Sequence, residues 1–313
     1  MELIIALFFG IIQGATEFLP ISGGGHLAMI QNYNQTVFGA ELFSPTLSFD
    51  IMLRLGTLAA IIFVFYSDIK RIGREFMMCI GDIIHKRFSI HTNRPYRQLL
   101  YMLVVTTSFL VPAVFLMDYM EMNFSKLSVI AFTLMVTGIC NLFIDSIGTG
   151  RRRKSVNQAD SGETVVVEAE SKEEKRSAIL SSLEADGPKD VLKKGAVVGA
   201  FQLASVIPGI SRCSLTVMGG LLAGFRRDFT VKYAFLATIP VLTVKILMQT
   251  VTVIRDGIVI NWIPYLLGMI AAFASGVFFI GVMRKAVRRN WCKRFGIYCL
   301  ILGVFITMIQ LRG

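Results

Sequence analysis

Residues 10–27, GIIQGATEFLPISGGGHL, place Gln13, Thr16, Glu17, Ser22 and His26 in an otherwise apolar stretch. An ionisable group at hydrocarbon depth costs about 3 kcal/mol or more unless it is paired, wet or bound to something, so Glu17 marks a functional site by default. The run Gly23-Gly24-Gly25 just after Pro20 forbids a continuous spanning helix and frees backbone N–H groups, which suit an anion. An imidazole such as His26 can serve as general acid/base, or as the nucleophile in a phospho-enzyme route. The other two histidines, His85 and His91, sit in a basic segment and read as solvated. Ser22 is either a nucleophile or a helix cap at the break. Residue types alone leave a blander reading open, a packed N-terminal helix ended by a Gly-rich turn.

A second cluster lies at 207–216, IPGISRCSLT, where Ser211, Arg212, Ser214 and Thr216 surround a Pro-Gly turn. Arginine beside freed backbone N–H groups makes a bidentate phosphate site. Its structural alternative is an ion pair with Glu17, and the two roles can coexist if the pair opens onto a substrate. Asp50 and Arg54, four apart on one helix face, either pair with each other or face the same cavity.

The elements that must hold these groups are membrane helices. The chain is 54% hydrophobic and only 17% charged, with a mean hydropathy of +0.63, against about 45–50% and about 25% in ordinary soluble domains. Runs long enough to span fall at 46–66, 99–117, 127–147, 232–255, 260–283 and 295–311. Two further apolar stretches, 2–30 and 195–225, are interrupted by Pro20 with Gly23 to Gly25 and by Pro208-Gly209. Broken apolar segments at corresponding places in two halves point to a binding site between repeats. At one constant offset Gly10 meets Gly199, Gln13 meets Gln202, Ala15 meets Ala204, Ile21 meets Ile210 and Ser22 meets Ser211. The expected fold is therefore an all-α polytopic membrane protein of two inverted repeats, each a re-entrant helical hairpin followed by three transmembrane helices. Residues 1–147 form the first repeat and 195–313 the second. The polar segment 148–194, opening on Arg151-Arg152-Arg153-Lys154, reads as a disordered or loosely helical cytoplasmic linker.

Charge agrees with this topology. The net charge is +11, and the basic residues gather in the 67–98 segment, at Arg226-Arg227 and at 284–294, which the positive-inside rule makes cytoplasmic. The excess reads as topology and contact with anionic lipid, and it excludes nucleic acid as the partner. Both later basic segments are cytoplasmic only if 195–225 enters and returns on that side; symmetry then makes 2–40 a hairpin entering from outside, with both termini external. Asp145 reads as interfacial. The five cysteines show no C-x-x-C pair, which argues against a disulfide framework or zinc. The N-terminal run lacks the features of a cleaved signal and is kept in the fold.

These residues resemble the bacterial undecaprenyl-diphosphate phosphatases, or bacitracin-resistance proteins. QGATEFLPISGGGHL at 13–27 is similar to the family's first signature, PGISRCSLT at 208–216 to its second, and FDIMLRLGTLAA at 49–60 to a segment between them. The resemblance implies a phosphatase of six spans and two re-entrant hairpins. It would cleave undecaprenyl diphosphate to undecaprenyl phosphate and phosphate on the outer face of the bacterial cell membrane, recycling the lipid carrier for cell-wall synthesis and conferring bacitracin resistance. Carried over by residue, Glu17 acts on a metal or as acid/base, His26 is the motif histidine, and Arg212 binds the diphosphate. Ser22 and Ser211 match motif hydroxyls, and Gln13 stands where members have Glu or Gln. The departures are Gly23 and Gly24 for Ser followed by Ser or Thr, Cys213-Ser214 for Ser-Gly, Arg54 for His or Gln, and a longer linker, which mark a divergent member.

The expected catalytic set is thus Glu17, His26, Ser22 and Arg212. Substrate would be held by Gln13, Thr16, Gly24, Gly25, Ser211, Arg212, Ser214 and Thr216. A divalent cation, Mg²⁺ or Ca²⁺, would sit on Glu17 and substrate oxygens. The competing class is a transporter of a polyprenyl phosphate or other anionic lipid, because inverted repeats with broken hairpins are carrier architecture. The sequence leaves oligomeric state open, a homodimer included.

Overall fold

At membrane depth a backbone finds no hydrogen-bonding partner but itself, so long apolar runs become helices. The computed structural model describes residues 2–27, 29, 47–87, 89, 94–110, 113, 116, 119, 120, 123, 124, 126–159, 187–256 and 262–312, and the regular structure among them is helical. The principal helices are α1 Glu2–Phe18, α2 Leu47–Val64, α3 Tyr66–Ile84, α4 Pro95–Ser108, α5 Leu127–Ala159, α6 Pro188–Ala204, α7 Arg212–Leu222, α8 Arg227–Arg255, α9 Trp262–Arg288 and α10 Cys292–Arg312. A further short helix covers 23–27. Segments Leu47–Val64, Leu127–Ile147, Arg227–Arg255, Trp262–Arg288 and Cys292–Leu311 are long and apolar enough to cross a bilayer, so this is a multi-pass membrane protein. The sixth expected span, 99–117, begins in α4 and runs into positions described only in part.

One stretch differs from the sequence reading, and a second is described only at its ends. The basic segment 67–98, expected as a loop, is largely α3, because Ile69, Ile72 and buried Cys79 recur at helical spacing and face the core. Its charges are used in packing as well as topology: Arg97 of α4 lies 3.2 Å from Glu75 and 2.7 Å from Asp82 of α3. The polar segment 148–194 is helical at both ends, since α5 runs on to Ala159 and α6 starts at Pro188. Proline suits that first helical position, where no intrahelical donor is lost. Residues 160–186 lie outside the described residues, as do 30–46 of the first expected hairpin.

Small residues let helices approach closely where water cannot drive them together. Gly10 and Gly14 of α1 lie against Gly268, Ala272 and Gly276 of α9, where a side chain on either α1 glycine would overlap the α9 backbone. Ser275 Oγ of α9 also donates to Gly10 O at 3.3 Å. Other helix pairs in contact include α6 with α4, α5 with α10, α2 with α8, α9 with α2, and α8 with α4. Phe18 at the end of α1 meets Phe235 of α8 edge to face, with ring centroids 5.5 Å apart, in the main apolar core.

Buried charges tie the corners. Lys232 Nζ lies 3.2 Å from Asp68 Oδ1, joining α8 to α3. Asp145, expected at the interface, is buried and accepts the amide hydrogens of Cys292 and Lys293 at 3.3 and 2.9 Å. It thereby satisfies orphan donors at the start of α10, where the helix dipole also favours a carboxylate.

Candidate active site

The site is built from two interruptions. α1 ends at Phe18, and Ser22 takes a φ of +68°, a left-handed conformation uncommon for a residue with a side chain. Ser22 Oγ then accepts the amide hydrogen of Gly25 at 3.3 Å, capping the short helix 23–27. At the second interruption α6 ends at Ala204, Gly209 takes a φ of +87°, and Ser211 Oγ caps α7 by accepting from Ser214 N at 3.3 Å. A side chain at Gly209 would strike Thr133, so glycine is required there for both shape and space.

Helix α5 braces both interruptions with two polar residues spaced four apart, Thr137 and Asn141. Asn141 Nδ2 donates to Pro20 O at 2.5 Å. Thr137 Oγ1 donates to Gly209 O at 3.3 Å and accepts from Ser211 N at 3.0 Å. The two interruptions also meet, for a Cβ on Gly25 would come 3.3 Å from Gly209 Cα.

Between them lies a cavity of about 510 Å³. The first interruption contributes Gln13, Thr16, Glu17, Ser22, Gly23 and Gly24 to its wall, and the second contributes Ser205 to Cys213. Asp50 and Arg54 enter from α2, Lys245 and Gln249 from α8. Arg212 Nη1 is 3.5 Å from Glu17 Oε1, and Gln13 Nε2 donates to Glu17 Oε2 at 3.4 Å. Asp50 Oδ2 accepts from Arg54 Nε at 2.8 Å and from Gln249 Nε2 at 2.9 Å. Asp50 and Arg54 therefore both pair with each other and face the cavity. Three cations and two carboxylates line one wall set, which leaves net positive charge for an anion.

Of the residues singled out from sequence, Gln13, Thr16, Glu17, Ser22, Gly24, Ser211 and Arg212 line this cavity. His26, Gly25, Ser214 and Thr216 stand behind it. His26 Nδ1 donates to Ser22 O at 2.8 Å; in that tautomer Nε2 accepts from Tyr298 Oη at 2.8 Å, the two rings being stacked. Thr216 Oγ1 donates to Arg212 O at 2.8 Å, and Ser214 is fully buried beneath the Ser211 cap. Lys245 and Gln249 were not singled out, although a lone lysine inside an apolar span carries the same signal as Glu17. The polar row Thr133, Thr137 and Asn141 was missed too, its helical spacing in the 127–147 span being the available clue.

Glu17 and Asp50 are the hard-oxygen donors on the wall. Asp50 Oδ1 is buried without a hydrogen-bond partner. No group of three His, Cys, Asp or Glu side chains able to hold a metal occurs among the described residues. The donor set fits a cation that shares its coordination with substrate phosphate, and does not fit an all-protein cage.

Comparison with known proteins places the chain. The family described as bacitracin resistance protein BacA matches residues 6–305. A protein named undecaprenyl-diphosphatase from Methanobrevibacter smithii is 30% identical over 313 residues, covering 98% of each chain. Proteins of the same name from Alkaliphilus metalliredigens and Halothermothrix orenii are 28% and 27% identical, the alignments covering 98% and 99% of this chain and 98% of each relative.

Proposed function

Because this chain belongs to the bacitracin resistance protein BacA family, we propose that it is an integral membrane phosphatase acting on undecaprenyl diphosphate. It releases phosphate and returns undecaprenyl phosphate to the carrier pool of cell-wall synthesis, with bacitracin resistance as a consequence. The observation that carries this reading is the cavity where both interruptions meet, with Arg212 of one on Glu17 of the other.

A diphosphate brings several negative charges, and its cleavage needs them neutralised as charge shifts to the leaving oxygen. Arg212, Arg54 and Lys245 supply cations from three elements. As the diphosphate enters, Arg212 exchanges Glu17 for phosphate oxygens and frees the carboxylate as a base. A water oxygen then forms a bond to the terminal phosphorus, its proton passes to Glu17, and the bond from that phosphorus to the bridging oxygen breaks. The bridging oxygen keeps the electron pair as part of the lipid monophosphate. Ser22, on the same wall, is the side-chain alternative to water as nucleophile. His26 acts from behind, holding the Ser22 carbonyl and so the left-handed turn. Glu17 and Asp50 would hold Mg²⁺ or Ca²⁺, which when bound shields the phosphate charge and strengthens the electrophile.

The helix pairing supports two inverted repeats. Exchanging α1 with α6, α2 with α8, α4 with α9 and α5 with α10 turns α1–α9 into α6–α4 and α2–α9 into α8–α4, and leaves α5–α10 and α2–α8 unchanged; all of these pairs are present. The same symmetry favours the second reading, a carrier of an anionic lipid phosphate. Purified protein given a long-chain polyprenyl diphosphate, with and without Mg²⁺ or Ca²⁺, decides between them. The phosphatase releases phosphate and loses this with Glu17→Ala or Arg212→Ala, whereas a carrier binds the lipid monophosphate and releases none. We place the protein in the bacterial cell membrane with the cavity open to the outer face; thiol labelling of Arg226→Cys and Asp256→Cys should then report opposite sides.

A further inference from the structure

A second concave site lies outside the cavity, where α3 meets α4. Its volume is about 620 Å³, and Tyr66, Lys70, Arg71, Arg74, Glu75 and Tyr96 are on its wall. The one carboxylate among them is already engaged, with Glu75 Oε2 lying 3.2 Å from Arg97 Nε and 4.0 Å from Arg94 Nη1. Arg71 is half-buried and fixed by Tyr96, its guanidinium 5.4 Å from the ring centroid and its Nη1 donating to Tyr96 Oη at 3.4 Å. Behind that ring, Tyr96 Oη donates to Asp68 Oδ1 at 3.0 Å, and Lys232 neutralises the same carboxylate. Lys70 and Arg74 are exposed and have no ion-pair partner among the described residues. The rear of this site is therefore rigid and charge-balanced, while its mouth carries uncompensated positive charge.

The helix that bears the cations has a second feature. At about 3.6 residues per turn, Phe76, Met77, Ile80, Ile83 and Ile84 of α3 form one stripe, and all five are exposed. Lys70 and Arg74 border that stripe. Helix α3 follows the spanning helix α2 after Phe65 alone, so it starts at the membrane boundary. An amphipathic helix with a cationic edge beside an apolar face, anchored at that depth, lies in the headgroup layer.

We propose that the α3–α4 corner binds the phosphate headgroup of an anionic membrane lipid, with the acyl chains lying along the Phe76 to Ile84 stripe. Lys70 and Arg74 meet the phosphate oxygens at the mouth, and Arg71, held by Tyr96, meets them from the wall. The shared chemistry is a phosphate anion, and the apolar stripe selects the lipid-borne form over the free ion.

The test uses the full-length protein in detergent, with phosphatidylglycerol, phosphatidylcholine and inorganic phosphate as separate probes and native mass spectrometry reading retained lipid. Wild type should retain phosphatidylglycerol in preference to phosphatidylcholine. Lys70→Ala with Arg74→Ala should weaken that retention about thirtyfold, from about a fivefold effect per surface cation. Met77→Ser with Ile84→Ser should weaken lipid retention and leave any binding of inorganic phosphate unchanged. All four positions are exposed, and an unchanged thermal unfolding midpoint confirms that each variant is folded. Equal retention of phosphatidylglycerol by wild type and the Lys70/Arg74 variant overturns the site. Displacement of the lipid by an equal concentration of inorganic phosphate overturns its assignment to a lipid.

Discussion

At the first interruption Ser22 Oγ takes the amide hydrogen of Gly25, and at the second Ser211 Oγ takes that of Ser214, each at 3.3 Å. Both backbones pass through a positive φ, at Ser22 and at Gly209. Gly10 and Gly199, which correspond in the alignment of the two halves, each serve close helix contact, one against α9 and the other against Thr106 of α4 and Phe109 just after it. The charged residues do not correspond. Glu17 falls opposite Val206, and Arg212 opposite Gly23. Shared positions thus build the turn, and the positions that differ supply the chemistry. A symmetric pair of carboxylates or arginines would leave like charges facing each other in one cavity, whereas one of each makes a resting pair that an anion can open.

The largest effect that sharpens this contrast is on catalysis. Arg212→Ala should lower phosphate release by about a hundred- to a thousandfold, and Glu17→Ala comparably. Val206→Ala, at the place matching Glu17, should leave turnover close to wild type. Comparable losses at Val206 would show that the two interruptions share the chemistry as well as the turn.

Next come the braces from α5. Thr137→Val leaves the buried Ser211 N–H without its acceptor, and Asn141→Leu leaves the Pro20 carbonyl only the weak Cys299 thiol donor at 3.9 Å, so each should cost about 1–3 kcal/mol of stability. Thermal unfolding in one detergent measures both, and a near-zero cost for Asn141→Leu would mean that the first turn holds itself.

The serine caps are a smaller contribution. Ser22→Ala and Ser211→Ala should each destabilise by about 1 kcal/mol. If stability falls equally while only Ser22→Ala abolishes phosphate release, Ser22 is the nucleophile and not merely a cap. The smallest effect belongs to Gly24→Ser. A Cβ there meets nothing within 4 Å, so stability should change by less than about 0.5 kcal/mol. Gly23→Ser must push against Thr16, whose Oγ1 lies 3.1 Å from the new Cβ, and should unfold at a lower temperature than Gly24→Ser.

Membrane class, five of the six expected spans and the two interruptions were legible in the residues because each rests on composition along the chain. Apolar length dictates a span, Pro and Gly end a helix, and a charge at depth needs a reason. Glu17 and Arg212 announced themselves by that last rule. The amphipathic character of α3 was legible in principle, but its dense basic residues masked the spacing of Ile69, Ile72 and Cys79.

What the chain by itself determined is the inventory: which groups are too costly to lie in lipid, and where the helix must stop. Only the folded structure decided which of them face one another. Cavity walls come from elements far apart in sequence, so Lys245 and Gln249 joined Asp50 and Arg54 through the α2–α8 packing. His26 turned away to Tyr298 because the short helix 23–27 starts from a left-handed Ser22, a backbone angle that sets side-chain direction and leaves no trace in residue spacing. Asn141 and Thr137 became braces because α5 passes behind both turns, an arrangement made by helix packing and not by any local preference of the residues.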